Sequence, residues 1–408
     1  MKRPALRRLM LAPHVTLLAR EQHDNALAAL KLFTTAGAAD DPPGREGTAN
    51  LVEQMLLEGT ERFTSAEIAE RIEAEGVHLN THAGKDGFTV SMLGTREGFI
   101  ACMHMLAEIL EHPTLPDDSL SIEKKLVVQD IREEQDNPAE MVFQEFERRF
   151  YAGHPYAHPV SGEEETVLSC QREDLVRFYR SCVQVSHCLV AMAGDLEPEV
   201  VVEALGPALA DWGNAEARPM PRPEREYAPS THRVSRPLDA QWVVIGYPAP
   251  GVHSPDYMPL RVLDGLLSSG TDGSLFAEIR DRFGWAYQIG SSYAPRRGPG
   301  FFSIYFSTSA EHLDGLMEEL VRLVGQLARE PLADEHLARL RTYLAGMFVM
   351  GAETNMGQAT QFGTYELLGL GADFPERFPS LLEAVQAEDL CRVADQYLRE
   401  PTIVYCGA

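Results

Sequence analysis

Two stretches of this sequence, one in each half, follow the same pattern at nearly the same spacing. Glu173 opens the helical pattern EDLVR, and the apolar strand HCLVAMAG follows it and ends at Gly194. Glu388 opens the pattern EDLCR, and the strand TIVYCG follows it and ends at Gly407. The offset between the two helical openings is nearly the same as the offset between the two strand ends. Because self-similarity at one offset indicates an internal repeat, the chain is predicted to duplicate a unit of about 200 residues.

A proline-rich stretch lies between the two halves. Residues 213–232 contain four prolines among charged residues, with little apolar content: Pro219, Pro221, Pro223 and Pro229. This composition is typical of a linker. We therefore predict an N-terminal half at 1–212, a linker at 213–232 and a C-terminal half at 233–408.

Within each half, strands come first, helices follow and a strand closes the pattern. Besides the two closing strands, apolar and β-branched runs predict strands at HVTLLAR, LAALKLFTTAG, VHLNTHAG, GFTVSMLG, QWVVIGY, WAYQIGSS and FFSIYFST. Helical periodicity covers residues 46–57, 65–74, 96–110, 311–328 and 334–349, and runs almost without a break over 117–150. Segregated strands and helices favour an α+β fold, with a mainly antiparallel sheet packed against helices in each half.

The charge balance argues against several classes of partner. The chain has 61 acidic and 36 basic residues, a net charge of −25. Such a surface repels phosphate backbones and anionic lipid, so neither nucleic acid nor membrane is an expected partner. No apolar run approaches the roughly 18 residues that span a bilayer. The basic N-terminal stretch has no proper signal-peptide core, and the six cysteines contain no C-x-x-C pair, so we expect a cytoplasmic protein with reduced thiols.

The segment GREGTANLVEQMLLEGT, residues 44–60, contains the most informative motif. It resembles the first signature of the pitrilysin/insulinase family of zinc peptidases, an H-x-x-E-H helix in the context G-x-A-H-x-x-E-H-M-x-x-x-G-T. The surrounding frame is present at Gly47, Ala49, Met55, Gly59 and Thr60. However, Asn50 and Gln54 stand at the two histidine positions, and only Glu53 remains.

These substitutions remove the chemistry of the signature. Positions i and i+4 lie on one helical face, where two imidazoles can bind one Zn²⁺ at about 2.0–2.1 Å. Carboxamides such as Asn50 and Gln54 are only weak oxygen ligands for zinc. The glutamate of the signature acts on metal-bound water, whose pKa the metal lowers to about 7. Without zinc, Glu53 has no such water to deprotonate.

The resemblance implies a third ligand, a glutamate on a later helix that precedes a D-x-P turn. The matching stretch is EKKLVVQDIREEQDNPAE, in which Asp130 stands at the position of that glutamate. An aspartate is one methylene shorter, which is about 1 Å of lost reach. With all three ligand positions altered, the chain is predicted to bind no metal, and Asn50, Glu53, Gln54 and Asp130 are predicted to be vestigial.

Other histidines are not predicted to restore a zinc site. His78 and His82 are four residues apart in a predicted strand, which separates them by about 13 Å at about 3.3 Å per residue. His154 and His158, in GHPYAHP, each precede a proline, and His-Pro at this point in the family favours a structural turn.

The second half keeps its signature. Residues 274–292, SLFAEIRDRFGWAYQIGSS, resemble the family segment L-F-x-x-L-R-E-x-x-G-L-A-Y-x-V-x-S. Arg280 and Tyr287 match its arginine–tyrosine pair with the same spacing of seven. The resemblance implies that this pair faces a zinc site across a closed cavity, where it binds the peptide backbone or stabilises an oxyanion. A guanidinium and a phenol are suitable donors for that role. The alternative is structural, with Arg280 on a carboxylate at a helix end and Tyr287 packed in a strand.

One degraded and one retained signature resemble the non-zinc subunit of two-chain bacterial members of the family. The resemblance, which covers essentially the whole chain, implies a clamshell around a cavity and no catalysis by the chain alone. It also implies a zinc-bearing homologous subunit as partner, zinc only in that partner, and extended peptides that add as a strand near Asn80. The chain can alternatively pair with itself. Two other hypotheses remain open: a purely structural subunit, like the core proteins of mitochondrial complex III, and an autonomous zinc peptidase using Glu53, Asp130 and a further ligand.

Overall fold

The computed structural model describes residues 4–214, 227–268, 273–294 and 296–407. Its strands are β1 Arg7–Ala12, β2 Val15–Glu21, β3 Leu27–Thr34, β4 His78–Ala83, β5 Phe88–Thr95, β6 Cys188–Gly194, β7 Ser230–Ser235, β8 Gln241–Ala249, β9 Ala286–Ala294, β10 Gly300–Thr308 and β11 Thr402–Gly407.

Its helices are α1 Thr48–Met55, α2 Ser65–Ala74, α3 Arg96–Glu111, α4 Asp117–Asp136, α5 Pro138–Phe150, α6 Glu164–Ser169, α7 Arg172–Phe178, α8 Pro198–Leu205, α9 Tyr257–Ser268, α10 Leu313–Leu327, α11 Asp334–Met350, α12 Asn355–Leu367, α13 Phe374–Ala384 and α14 Ala387–Tyr397. Short 3-10 helices lie at Ala38–Asp40 and Pro155–Ala157, and π-helices at Tyr179–Val183 and Phe276–Asp281. No described helix has both the length and the apolar character needed to cross a bilayer.

The predicted strands and helices are confirmed. The helical run over residues 117–150 has a single break, at Asn137, which divides it into α4 and α5. The Asn137 side chain accepts a hydrogen bond from the Ala139 N–H and Pro138 occupies the first helical position, so a new helix starts here.

Several elements had no prediction, among them β1, β7, α6, α8 and α9. β1 lies in the basic N-terminal stretch, and α9 contains Pro259 in its first turn, where proline removes no intrahelical hydrogen bond. β7 begins at Ser230, inside the predicted linker. Residues 215–226 of that linker lie outside the described part of the chain.

Contacts divide the chain into two compact units, each of which takes a segment from the other half of the sequence. The first comprises described residues of Met1–Glu133, His158–Pro219 and Met350–Pro375. The second comprises described residues of Glu134–Ala157, Met220–Val349 and Glu376–Ala408. Thus α12, from the C-terminal half, belongs to the first unit, and α5, from the N-terminal half, belongs to the second.

The first unit is a six-stranded sheet in the order β1-β2-β6-β3-β5-β4, in which only β2 and β6 pair in parallel. Helices cover both faces. One core includes residues from α1, α2, α3, α4, α7 and α8, and α12 packs a second core against β3 and β6. Gly363 of α12 permits this approach, because a Cβ there would lie 2.4 Å from the Phe33 ring.

The second unit is a five-stranded sheet in the order β7-β11-β8-β10-β9, in which only β7 and β11 pair in parallel. α5 packs on β8 and β11, and the Phe146 ring lies 5.1 Å from the Phe301 ring. Gly246 of β8 makes room for Phe146, since a Cβ there would lie 2.0 Å from that ring.

The two sheets have the same topology once β1 is set aside. The order β2-β6-β3-β5-β4 corresponds strand for strand to β7-β11-β8-β10-β9, with the one parallel pair in the same place. The α+β fold with two matching halves, each built on a mainly antiparallel sheet, is therefore confirmed.

Candidate functional site

Helix α1 presents the degraded motif on the face opposite to its packed side. The helix buries Thr48, Ala49, Leu51, Val52 and Met55 in the core of the first unit. Gln54 is exposed, while Asn50 and Glu53 are half-buried. The apolar spacing of the helix thus directs the two carboxamides away from the core.

A half-buried aspartate holds the start of α1. The Asp41 carboxylate accepts hydrogen bonds from the Gly47 N–H and the Ala49 N–H, each at 2.8 Å. Such bonds satisfy amides that a helix start leaves without partners. Burial raises the pKa of Asp41 to about 7, although the two amide bonds favour the charged form. Its place before Pro42 and the helix is the only sign of this residue in the sequence.

Glu53 ties α1 to the edge strand β4. Its carboxylate Oε2 accepts a hydrogen bond from the Ala83 N–H at 2.8 Å, and its backbone oxygen accepts one from Thr81 Oγ1 at 3.1 Å. Burial raises the pKa of the Glu53 carboxyl, whereas the bond from Ala83 and the charge of His82 lower it. Sequence patterns did not indicate these contacts, because they join segments about 30 residues apart.

Asp130 is exposed on α4, near the carboxylate of Glu123. Burial and the nearby charges of Glu58 and Asp130 raise the pKa of Glu123. Glu123 lies seven residues before Asp130, which is two helical turns along the same face. This spacing is the sequence signal that would have identified Glu123 as a neighbour of Asp130.

These residues do not fit a zinc ion. The three motif positions offer two neutral carboxamides and one exposed aspartate, whereas zinc prefers thiolate, imidazole and well-placed carboxylate. Within the described ranges, no group of three or more histidines, cysteines, aspartates or glutamates is arranged to hold a metal ion.

The strand β4 is a sheet edge that pairs only with β5. His78, Asn80 and His82 are exposed and alternate with the more buried Leu79, Thr81 and Ala83. The three polar residues therefore share one face of the strand. A strand edge of this kind offers unpaired N–H and C=O groups to an extended peptide.

The structure brings Arg280 and Tyr287 together in the second unit. Arg280 lies in the π-helix Phe276–Asp281, and its guanidinium carbon is 6.0 Å from the centre of the Tyr287 ring and 4.7 Å from that of Phe276. Tyr287 is 76% exposed, and Arg280 is exposed and forms no ion pair with any described residue. The structural alternative, in which Arg280 pairs with a carboxylate and Tyr287 is packed in a strand, does not match this arrangement. π-Helical turns of this kind often occur at functional sites.

The two His-Pro histidines have structural surroundings. His154 is buried, its Nδ1 accepts a hydrogen bond from the Tyr156 N–H at 3.1 Å, and the two rings lie 4.5 Å apart. In the first unit, His158 Nε2 lies 4.0 Å from a carboxylate oxygen of Glu46.

Two family models together match most of the chain. Residues 16–164 match the model described as Insulinase (Peptidase family M16), and residues 169–344 match the model described as Peptidase M16 inactive domain. The first match contains the degraded motif, and the second contains Arg280 and Tyr287.

Several known proteins are similar to this chain in sequence or in structure. An uncharacterized zinc protease of Rickettsia bellii is 23% identical over 373 residues, which cover 90% of this chain and 89% of that protein. The crystal structure of a peptidase M16 inactive domain from Pseudomonas fluorescens superposes with a TM-score of 0.91 at 22% identity, covering 98% of both chains. A chain of complex III from Candida albicans superposes with a TM-score of 0.82 at 14% identity, covering 99% of this chain and 96% of that one.

Proposed function

The chain belongs to the pitrilysin/insulinase family of peptidases, peptidase family M16, and from this membership we propose that it is a subunit without a zinc site of its own. In this proposal it pairs with a zinc-bearing homologue. It contributes peptide binding and transition-state support to the partner's site, and zinc resides only in the partner.

The observation that carries the proposal is the exposed contact between Arg280 and Tyr287. The guanidinium carbon lies 6.0 Å from the tyrosine ring, both side chains are exposed, and neither forms an ion pair with a described residue. Two exposed donors without an acceptor among the described residues are suited to an acceptor from outside the chain. A peptide carbonyl, or the oxyanion that forms from it during hydrolysis, is such an acceptor.

Two features of the first unit agree with this role. Its motif lacks the ligands that zinc requires, and its Glu53 carboxylate is bound to the Ala83 N–H. Apart from the Ala83 N–H, which donates to Glu53, the edge of β4 offers a peptide a strand to pair with, beside Asn80. We assign peptide binding to this edge.

The test is peptide cleavage by the chain together with its zinc-bearing homologue. Arg280→Ala should lower kcat/KM by about 10²-fold, the loss that follows removal of one oxyanion donor. Arg282→Ala is the matched control, because Arg282 is a neighbouring exposed arginine that pairs with Glu278 at 2.8 Å. Equal activity of the Arg280→Ala complex and the wild-type complex would refute the proposed role.

The zinc content of the isolated chain is a second test. After dialysis against metal-free buffer, we expect a zinc-to-protein ratio near zero. A ratio of about one would instead support an autonomous zinc peptidase that uses Glu53, Asp130 and a further ligand. The zinc protease names of the relatives favour that alternative. Zinc-dependent cleavage by the chain alone, abolished by Glu53→Gln, would establish it.

A purely structural subunit is the other alternative. Its support is the structural similarity to a chain of complex III. In that case Arg280 and Tyr287 would be a relic, and the chain would form a stable assembly that neither binds nor cleaves peptides.

A further inference from the structure

A cleft of about 600 Å³ opens in the first unit beside the start of β4. Its apolar wall is formed by the segment after α1, one side of α2 and the first residues of β4: Leu57, Ile68, Ile72, Val77 and Leu79. Ile68 and Ile72 are one helical turn apart on α2 and buried, so they form a fixed floor. A cleft of this volume lies in the range that takes small organic groups, about 300–1,000 Å³.

The cleft also has two carboxylates and one imidazole in its lining, those of Glu58, Glu73 and His78. Glu58 is half-buried, and its one side-chain hydrogen bond among the described residues comes from Ser65 Oγ at 3.4 Å. Glu73 is exposed, and no cationic side chain of the described ranges forms an ion pair with either glutamate. Glu123 lies close enough to Glu58 for their charges to interact, so it adds negative charge near Glu58. The cleft thus combines an apolar wall with uncompensated negative charge.

The cleft adjoins the strand edge. His78 and Leu79 lie both in β4 and in the cleft lining, and the Leu79 side chain points to the more buried face of the strand. A peptide strand paired with β4 would point alternate side chains to each face of the sheet. One of them would therefore point towards the cleft.

We propose that this cleft is a specificity subsite of the β4 edge and takes a lysine or arginine side chain of an extended peptide. This inference rests on the proposed function, in which peptides pair with β4. The aliphatic stem of the side chain packs against the apolar wall, and its charged head reaches Glu58 and Glu73. An aspartate or glutamate is repelled, and an uncharged aliphatic side chain leaves the carboxylates without a cation.

The experiment measures binding of fluorescent extended peptides to the full-length chain, alone and with its zinc-bearing homologue, by anisotropy at pH 8. In one set a single lysine moves through successive positions, and in the matched set norleucine replaces that lysine. At one position, lysine should bind about fivefold more tightly than norleucine. The double variant Glu58→Gln, Glu73→Gln should remove this preference. Glu70→Gln should keep it, because Glu70 lies on the same helix outside the cleft.

The outcomes separate this inference from the proposed function. If peptides bind but lysine and norleucine are equal at every position, the subsite is wrong and peptide binding stands. A lysine preference that survives in the double variant also overturns the subsite. If no peptide binds the chain in either preparation, the subsite is overturned together with the proposed peptide-binding role.

Discussion

At the scale of single residues, Asp41, at the start of α1, makes the stability of the protein depend on pH. Its carboxylate is half-buried and accepts two amide hydrogen bonds at the start of α1, and its pKa is raised from 3.8 to about 7. A raised pKa in the folded state means that folding favours the protonated form. The stability contributed by protonated Asp41 is therefore complete below pH 4, declines as pH rises to about 7 and stays constant above that value.

We expect Asp41→Asn to flatten this part of the pH profile, because asparagine does not titrate. At about 1.4 kcal/mol per pKa unit, the shift corresponds to a loss on the order of 4 kcal/mol in the wild type between pH 4 and pH 8. Urea unfolding at both pH values measures the change. Asp24→Asn, at an exposed loop residue, is the charge-matched control. Identical pH profiles for wild type and Asp41→Asn would show that Asp41 does not cause the effect.

The sequence predicted some residues of the site and missed others for a definite physical reason. The spacing of Arg280 and Tyr287, with the family resemblance, singled out two residues that the structure places side by side. The bonds of Asp41 to α1 and of Glu53 to Ala83 depend on burial and on segments distant in sequence. Local sequence pattern shows only that Asp41 precedes Pro42 and the helix, and it contains no information about the bond of Glu53 to Ala83.

At the scale of elements, close packing of helix on sheet depends on glycines. α5 packs on the second sheet only because Gly246 leaves space for the Phe146 ring, which is completely buried. The strand patterns predicted β8, and helical periodicity predicted the residues of α5. Neither pattern identified the sheet that this helix contacts, since that choice depends on the fit between one glycine and one ring.

Gly246→Ala should therefore destabilise the protein by about 1–3 kcal/mol, the usual cost of overpacking a core. Its Cβ would lie 2.0 Å from the Phe146 ring, so the ring or the helix must move. Gly325→Ala is the control, because Gly325 is in α10 and a Cβ there has no neighbour within 4 Å. That change should stabilise the chain by up to about 1 kcal/mol. Chemical denaturation compares them, and equal effects of the two variants would contradict the packing argument.

At the scale of the whole molecule, the family scaffold persists while its metal ligands have changed. Superposition with a peptidase M16 inactive domain covers 98% of the chain at a TM-score of 0.91, although identity is only 22%. Within the first unit, Asn50 and Gln54 keep the i, i+4 spacing on α1. Asp130 and Glu123 lie on the same face of α4. The charge of Glu58, which follows α1 in the chain, acts on Glu123. Asn50 and Gln54 on α1 and Asp130 on α4 thus stand at the positions that the family resemblance assigns to the three ligands.

If the scaffold is intact, restoring three side chains should restore metal binding. We expect the triple variant Asn50→His, Gln54→His, Asp130→Glu to bind about one zinc per chain, since two imidazoles at i, i+4 and one carboxylate are a common zinc ligand set. The double variant Asn50→His, Gln54→His should retain less zinc after the same dialysis, because the side chain of Asp130 is one methylene shorter than that of glutamate. Zinc per chain by elemental analysis is the readout, and circular dichroism confirms folding. A folded triple variant without zinc would mean that α1 and α4 no longer hold the ligand positions at the zinc geometry. The absence of a metal site would then result from the backbone as well as from the three side chains.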